Sequence, residues 1–284
     1  MRIDFWKMHG AGNDFILVDD RNLSFPASDT KWLAQICKRG RGIGAEGIIL
    51  LQKSDQQNID FRMRFFNPDG REAEMCGNGA RCAARLAYDT GIATRHVMRI
   101  QTIAGIITAK IDGNKISIGM TEPVGWQIGI PLVIDGKELI ANFVNTGVPH
   151  TVIETQNINS CDVYGIGKAV RFHKHFAPAG TNVNFVKVLS PHELAVRTYE
   201  RGVEAETPAC GTGITASSLI MARLGKVSPP VKVHSAGGDV LEVNFVMKDN
   251  EIQNVTLTGP AEYVFCGHID YQRQTNTNQQ GSSL

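Results

Sequence analysis

Two copies of one short motif, Cys76-Gly77-Asn78-Gly79 and Cys210-Gly211-Thr212-Gly213, stand 134 positions apart in a chain of 284 residues. Each opens a mostly apolar, helix-like run. A thiol at a helix start lies at the positive end of the macrodipole, among backbone N–H groups with no partner inside the helix. Both effects favour the thiolate, so each thiol pKa is expected to fall below its usual value of about 8.5. Inverting a stereocentre means taking a proton from one face and returning one to the other, and a matched base and acid do this directly, in either direction. The Cα–H of an amino acid is a very weak acid, so the developing charge must be held by preorganised donors. The backbone N–H groups at Gly77-Asn78 and Gly211-Thr212 are the candidates.

The elements that must position these thiols also recur. Thr102-Ile103-Ala104-Gly105 returns as Ser235-Ala236-Gly237-Gly238, and the closing Pro123 returns as Pro260, at offsets close to that of the cysteines. Upstream of the second cysteine, Ala179-Gly180-Thr181-Asn182-Val183-Asn184-Phe185 echoes His9-Gly10-Ala11-Gly12-Asn13-Asp14-Phe15. The chain reads as a duplicated unit. In each copy strand-like alternation precedes the cysteine, at Ile59 to Phe65 and at Leu194 to Tyr199. A helix follows, from Gly79 to Tyr88 before Gly91, and from Gly213 to Leu224 before Gly225. The second helix has no charged face and is expected to be buried.

The simplest architecture is α+β: two pseudo-symmetric domains, each a curved, mostly antiparallel, barrel-like sheet around a central helix, with the active site in the cleft between them. Residues 1–122 form the half carrying Cys76 and residues 123–269 the half carrying Cys210, with the last strand free to return to the first half. The linker falls near Glu122 to Gln127, where Pro123 and Gly125 break the pattern. Residues 270–284 are polar and without periodicity, and are expected to be a disordered tail.

Composition narrows the function classes. A formal charge of +1 argues against a nucleic-acid partner. No stretch approaches the length of a spanning helix, and the start carries no apolar leader, so a cytoplasmic protein without a membrane partner is expected. The six cysteines are too sparse for a disulfide scaffold. Cys76 and Cys82 share no zinc-ligand spacing with another pair, so no metal site is expected, and Cys82 reads as core. His173-Lys174-His175 reads as surface. Gly42-Ile43-Gly44-Ala45-Glu46-Gly47 satisfies the dinucleotide G-x-G-x-x-G pattern, but it follows the helix-like run Lys31 to Cys37 rather than a strand, the wrong context for that site.

The chain resembles the diaminopimelate epimerases, cofactor-independent two-cysteine enzymes of lysine and cell-wall precursor synthesis. The matching segments are Lys7 to Phe15, Gly42 to Gly47, Phe66-Asn67-Pro68-Asp69-Gly70, Met75 to Cys82, Gly147-Val148-Pro149-His150, Asn182 to Phe185, Tyr199-Glu200-Arg201-Gly202, Ala209 to Gly213 and Gly237-Gly238-Asp239. They run in family order over nearly the whole chain. The resemblance implies that Cys76 and Cys210 are the acid/base pair acting on an amino-acid substrate. It also implies that Gly77, Asn78, Gly211 and Thr212 hold the reacting carboxylate, and that Asn13, Asn67, Asn182, Glu200 and Arg201 recognise the substrate, chiefly its distal end. His150 and Glu200 would support full activity, no cofactor would be needed, and the enzyme would be a homodimer. Arg suits a carboxylate and Glu an ammonium. Two departures stand out: Val148 occupies a position where the family often has Asn, and Glu46-Gly47 replaces an Asp-Gln of some members.

Residue chemistry leaves alternatives open. Glu200 and Arg201 read equally well as solvated surface charges. Asn13 and Asn182 suit turns, although their equivalent places in both halves argue for a shared role. An epimerase of another amino acid, such as a proline racemase, is a second reading, against which Glu200, Arg201 and Asn67 suit a second amino-acid head group. A redox protein with a Cys76–Cys210 disulfide is a third, though the usual C-x-x-C pair is absent.

Overall fold

A computed structural model describes residues 1–249 and 251–272. The expected tail therefore falls, from residue 273 onward, outside the described residues. The first half runs β1 (Arg2–Gly10), β2 (Asn13–Asp19), α1 (Thr30–Cys37), β3 (Ile48–Gln52), β4 (Phe61–Phe66), β5 (Glu72–Ala73), α2 (Gly77–Asp89), β6 (Val97–Thr102), β7 (Gly105–Asp112) and β8 (Lys115–Gly119). Residues 120–123 cross to β9 (Val124–Ile134), β10 (Lys137–Asn145), β11 (Pro149–Glu154), α3 (Val163–Arg171), a 3₁₀ turn (Lys174–Phe176), β12 (Asn182–Ser190), β13 (Glu193–Glu200) and β14 (Ala205–Thr207). Then follow α4 (Gly211–Arg223), β15 (Val231–Ser235), β16 (Val240–Lys248), β17 (Glu251–Pro260) and β18 (Glu262–Asp270).

The strands form one ladder with a pseudo-twofold at its middle. On one side β18 pairs with β1, and the order continues through β2, β3, β4, β6, β7 and β8. On the other, β9 pairs with β10, then β11, β12, β13, β15, β16 and β17. The sides join where β8 pairs with β17, and there the hydroxyls of Ser117 and Thr258 hydrogen-bond at 2.7 Å. Each side curls about a helix without closing, since among the described residues β9 pairs only with β10 and β18 only with β1. Most pairs are antiparallel, as expected. The exceptions, β2–β3, β4–β6, β11–β12 and β13–β15, are parallel because a helix bridges each of them.

The central helices carry the two main cores. α2 buries almost every side chain from Asn78 to Ala87 against β-strand residues such as Met8, Leu17, Phe61 and Ile118. α4 is buried from Gly213 to Ala222, as its uncharged sequence predicts, among residues such as Val186, Val196, Leu241 and Leu257. α1 and α3 cover outer faces and start on side-chain caps: Asp29 accepts from the Trp32 N–H and Asp162 from the Gly165 N–H. Gly91 and Gly225 lie just beyond α2 and α4 with φ of 69° and 71°. No helix among the described residues is long and apolar enough to cross a membrane.

One expectation fails here. Asn182 is not the counterpart of Asn13. Asn13 begins β2, whose counterpart is β11, whereas Asn182 begins β12, the counterpart of β3. The parallel ladders make the match explicit: Ile16 faces Ile48 and His150 faces Asn182, each pair displaced by the offset of the two cysteines. The shared glycine-asparagine wording of the two segments reflects turns before strands, not repeat equivalence.

Candidate active site

Cys76 and Cys210 are the N-cap residues of α2 and α4, two helices of 13 residues. Both have extended backbone, and each carbonyl accepts the first helical bond at 2.8 Å, from the Ala80 N–H and the Ile214 N–H respectively. The helices meet start to start. A Cβ on Gly211 would lie 3.8 Å from Asn78 Oδ1, and one on Gly213 would lie only 2.2 Å from Asn184 Oδ1. Glycine in the first turn of α4 is thus what lets that helix seat against its neighbours.

Around Cys76 the amides are chained. Arg81 Nη2 donates to Asn78 Oδ1 at 2.9 Å, and Asn78 Nδ2 donates to Asn13 Oδ1 at 3.4 Å. The Cys76 thiol donates to the same Asn13 oxygen at 3.7 Å. Asn13 Nδ2 in turn donates to the Glu46 carboxylate. Behind this chain Asp14 takes two bonds from Arg39, at 2.6 and 3.0 Å, and lies 2.7 Å from the buried Lys7 ammonium.

Around Cys210 the partners are hydroxyls. Its sulfur is 3.5 Å from Thr212 Oγ1, and the Thr212 carbonyl accepts from the Thr146 hydroxyl at 3.1 Å. Glu200, the last residue of β13, accepts from the Thr207 hydroxyl at 2.8 Å. Asn182 Oδ1 accepts from the Arg201 N–H at 2.8 Å while its Nδ2 donates to the Pro149 carbonyl at 3.0 Å, fixing the turn after β13 against the start of β11. His150 is fully buried, and its Nδ1 faces Asn184 Nδ2 at 3.2 Å.

The electrostatics reverse the expected thiol shift. Burial pushes the Cys210 thiol up to about 12. Glu200 adds to the rise, and the Thr212 hydroxyl and Gly213 N–H only partly oppose it. The Cys76 thiol is also raised by burial, with the Gly79 and Asn78 N–H groups and Arg81 working against the rise and Glu200 with it. The helix-start effect is present but smaller than the loss of water around sulfur. Burial likewise raises the Glu200 carboxyl, opposed by Thr207 and aided by the Glu46 carboxylate. Burial, helped by the Arg201 charge, takes His150 down to about 3.

Cys76, Cys210, Asn13, Asn78, Thr212 and Glu200 therefore share one electrostatic and hydrogen-bonded cluster, with Gly77 and Gly211 opening the two helices. Asn182, Arg201 and His150 adjoin it. Asn67 stands apart: it is exposed, and its backbone closes a tight turn with Gly70 and Arg71, with no side-chain hydrogen bond among the described residues. Its place directly after β4 is that of Arg201 after β13.

The diaminopimelate epimerase family description matches residues 5–126 and 142–264. The chain belongs to the diaminopimelate epimerase family. It is 42% identical to the diaminopimelate epimerase of Aquifex aeolicus over 277 residues, covering 94% of this chain and 98% of the relative. Membership makes the protein an isomerase, an epimerase by class. Solved structures share the fold. A PhzF-family phenazine biosynthesis protein from Bacillus anthracis superposes with TM-score 0.74 at 16% identity, covering 95% of this chain and all of the other. A hydroxyproline epimerase from Agrobacterium vitis does so with TM-score 0.69 at 14% identity, covering 94% and 92%.

Within this diaminopimelate epimerase family member, the motif glycines resolve plainly. A Cβ on Gly42 would lie 2.4 Å from the Gln35 carbonyl, and the Gly44 N–H donates to the Ile36 carbonyl, so the G-x-G-x-x-G run wraps the end of α1. Gly47 packs its backbone where a side chain would meet the Phe65 ring at 2.5 Å, so a glutamine has no room there. Sequence reasoning missed Glu46, Thr207, Asn184 and Arg81 as parts of the site. Arg81, Glu46 and Asn184 lie inside the family-matching segments, and for the first two charge was the available signal. Thr207 and Asn184 needed the fold.

Proposed function

We propose that the protein interconverts LL- and meso-diaminopimelate by two-base proton transfer between Cys76 and Cys210, without a cofactor. The observation that carries this reading is the equivalence of the two thiols, each the N-cap of a matching helix, with the helix starts converging. One cysteine as thiolate takes the α-proton and becomes a thiol. The electron pair left on the α-carbon delocalises into the substrate carboxylate, whose charge the N–H groups at Gly77, Asn78, Gly211 and Thr212 stabilise. The other cysteine gives its proton to the opposite face and becomes the thiolate. Atoms and charge balance, and the two cysteines have exchanged states.

At the distal end, Arg201 is proposed to pair with the second carboxylate and Glu200 with the second ammonium, aided by Asn13, Asn67 and Asn182. Neutral, buried His150 braces the first turn of α4 beside Gly213 rather than carrying the proton. The raised thiol pKa values describe sulfurs without substrate. The ammonium of a bound substrate would bring positive charge to the two sulfurs and favour the thiolate that the first step needs. A cytoplasmic homodimer belongs to the same reading, and size-exclusion chromatography with light scattering checks its assembly.

The decisive experiment follows α-hydrogen exchange of LL-diaminopimelate in D₂O by NMR, beside stereochemical analysis. Deuterium entering with conversion to the meso form, and conversion lost in Cys76→Ala and Cys210→Ala, is the expected result. Full conversion in either variant would overturn the two-cysteine mechanism. Absence of exchange in the folded, reduced protein would overturn the substrate.

A further inference from the structure

Arg81 sits one turn inside α2 and is fully buried. A guanidinium keeps its proton in a protein, so this is a permanent interior charge. Its Nη2 donates to Asn78 Oδ1 and its Nε to the Pro260 carbonyl at 3.2 Å, while its Nη1 has no hydrogen-bond partner among the described residues. Among the described residues no carboxylate lies within ion-pair distance of it, which leaves a buried cation without a direct counter-charge. The groups that act on it as anions are Cys82 and Cys76, when ionised, and Asp239 from the turn between β15 and β16.

Among the described residues of the other half no Asp, Glu, Lys or Arg is buried. One repeat later the position holds Thr215, whose hydroxyl turns back to the Gly211 carbonyl at 2.9 Å within α4. The two thiols are thus matched in backbone but not in surroundings. Cys76 faces Arg81 and Cys82 on its own helix, Glu200 from β13, and Glu46 through Asn13. Among the described residues, the charges that act on Cys210 are those of Glu200 and Cys76, and both raise it.

We propose, resting on the two-cysteine reading, that Arg81 is the positioning residue that makes Cys76, rather than Cys210, the first of the two thiols to ionise in the substrate-free enzyme. Its guanidinium does this in two ways. It supplies the missing counter-charge near the Cys76 sulfur, and it fixes the Asn78 side chain whose backbone N–H faces that sulfur. After a turnover in which Cys76 has acted as base, the negative charge rests on Cys210, beside Glu200. Return of the proton from Cys76 to Cys210, through solvent or through reverse turnover, then restores the favoured state.

The test is the pH dependence of iodoacetamide alkylation in the substrate-free protein, with Cys76 and Cys210 resolved by peptide mass spectrometry. Midpoints in pH, unlike bare rates, separate ionisation from accessibility. In the unaltered protein Cys76 should titrate at lower pH than Cys210. Arg81→Met should raise the Cys76 midpoint by about one pH unit or more without raising that of Cys210, and Arg81→Lys should recover much of the difference. Equal midpoints, or Cys210 titrating first, would sink the proposal without any variant. So would an unchanged Cys76 midpoint in folded Arg81→Met. If exchange in D₂O needs both cysteines but the midpoints coincide, the two-cysteine reading survives and the role of Arg81 does not. If Cys76→Ala still epimerises, the reading itself fails whatever the midpoints.

Discussion

Asn184 donates its amide to Nδ1 of His150 across 3.2 Å, and the orientation of that amide is not free. The same Nδ2 donates to the Thr151 carbonyl at 3.0 Å, and Oδ1 accepts from the Thr198 hydroxyl at 2.9 Å. His150 Nδ1 must therefore be an acceptor, and the ring is the neutral Nε2–H tautomer.

This fixes a pH dependence. The His150 pKa is depressed from about 6.5 to about 3 on folding, so between those values the unfolded chain holds a proton that the folded chain lacks. Acid then favours unfolding, with a limiting slope of about 1.4 kcal/mol per pH unit from this one group. Urea denaturation of His150→Gln at pH 6 and pH 4.5 should show a smaller loss of stability on acidification than the unaltered protein does. An identical loss would mean that the ring is not held neutral.

Gly213 and Gly211, neighbours in the first turn of α4, should respond very differently to alanine. A methyl at 213 meets Asn184 Oδ1 at 2.2 Å and His150 Cε1 at 3.3 Å, both held by hydrogen bonds. At 211 the closest atom is the far end of Leu257, at 2.9 Å, which can turn away. Gly213→Ala is expected to cost about 1–3 kcal/mol and Gly211→Ala much less, as read by thermal unfolding.

Glu200 acts on both sulfurs, raising each. Glu200→Gln keeps the Thr207 contact available and removes the charge. Alkylation of Cys76 and Cys210 in the free protein should then both move to lower pH, even as turnover falls through lost substrate contacts. Movement of only one thiol would show that the carboxylate does not face both.

Gly47 is buried against Phe65 and the Phe66 carbonyl. Gly47→Gln should destabilise the protein by about 1–3 kcal/mol, since the close atom at 2.7 Å is backbone and cannot swing aside. Chemical denaturation measures this directly.

Much of the architecture was legible from spacing. The twin cysteine motifs, the helices behind them and the buried character of α4 follow from periodicity and stop signals alone. The match of Asn13 with Asn182 misled because a glycine-asparagine turn before a strand is a local solution, reused wherever a chain re-enters a sheet. Only the ladder, where His150 faces Asn182 as Ile16 faces Ile48, gives the true correspondence. The thiol shift was misjudged for a similar reason: a helix start can be read from sequence, whereas the closure of protein around Cys210 depends on Glu200, Thr212 and strands far away in the chain. Arg81 carried its charge in plain view, but nothing in a sequence says that a charged residue of a helix points inward.

The return of β18 to β1 bears on how the chain reaches this shape. Gly10 and Glu262, near the facing ends of those strands, are 252 positions apart, and between them the entire second half must be built. A growing chain can therefore lay down β1 to β8 around α2 early, but β1, with Ile3 and Phe5 on its buried face, keeps an open edge until synthesis is almost over. The first half is begun first and finished last. Pairing across such a separation is slow to form, so an intermediate with a completed second half and an exposed β1 edge should be the species most exposed to mispairing between chains during production of the protein.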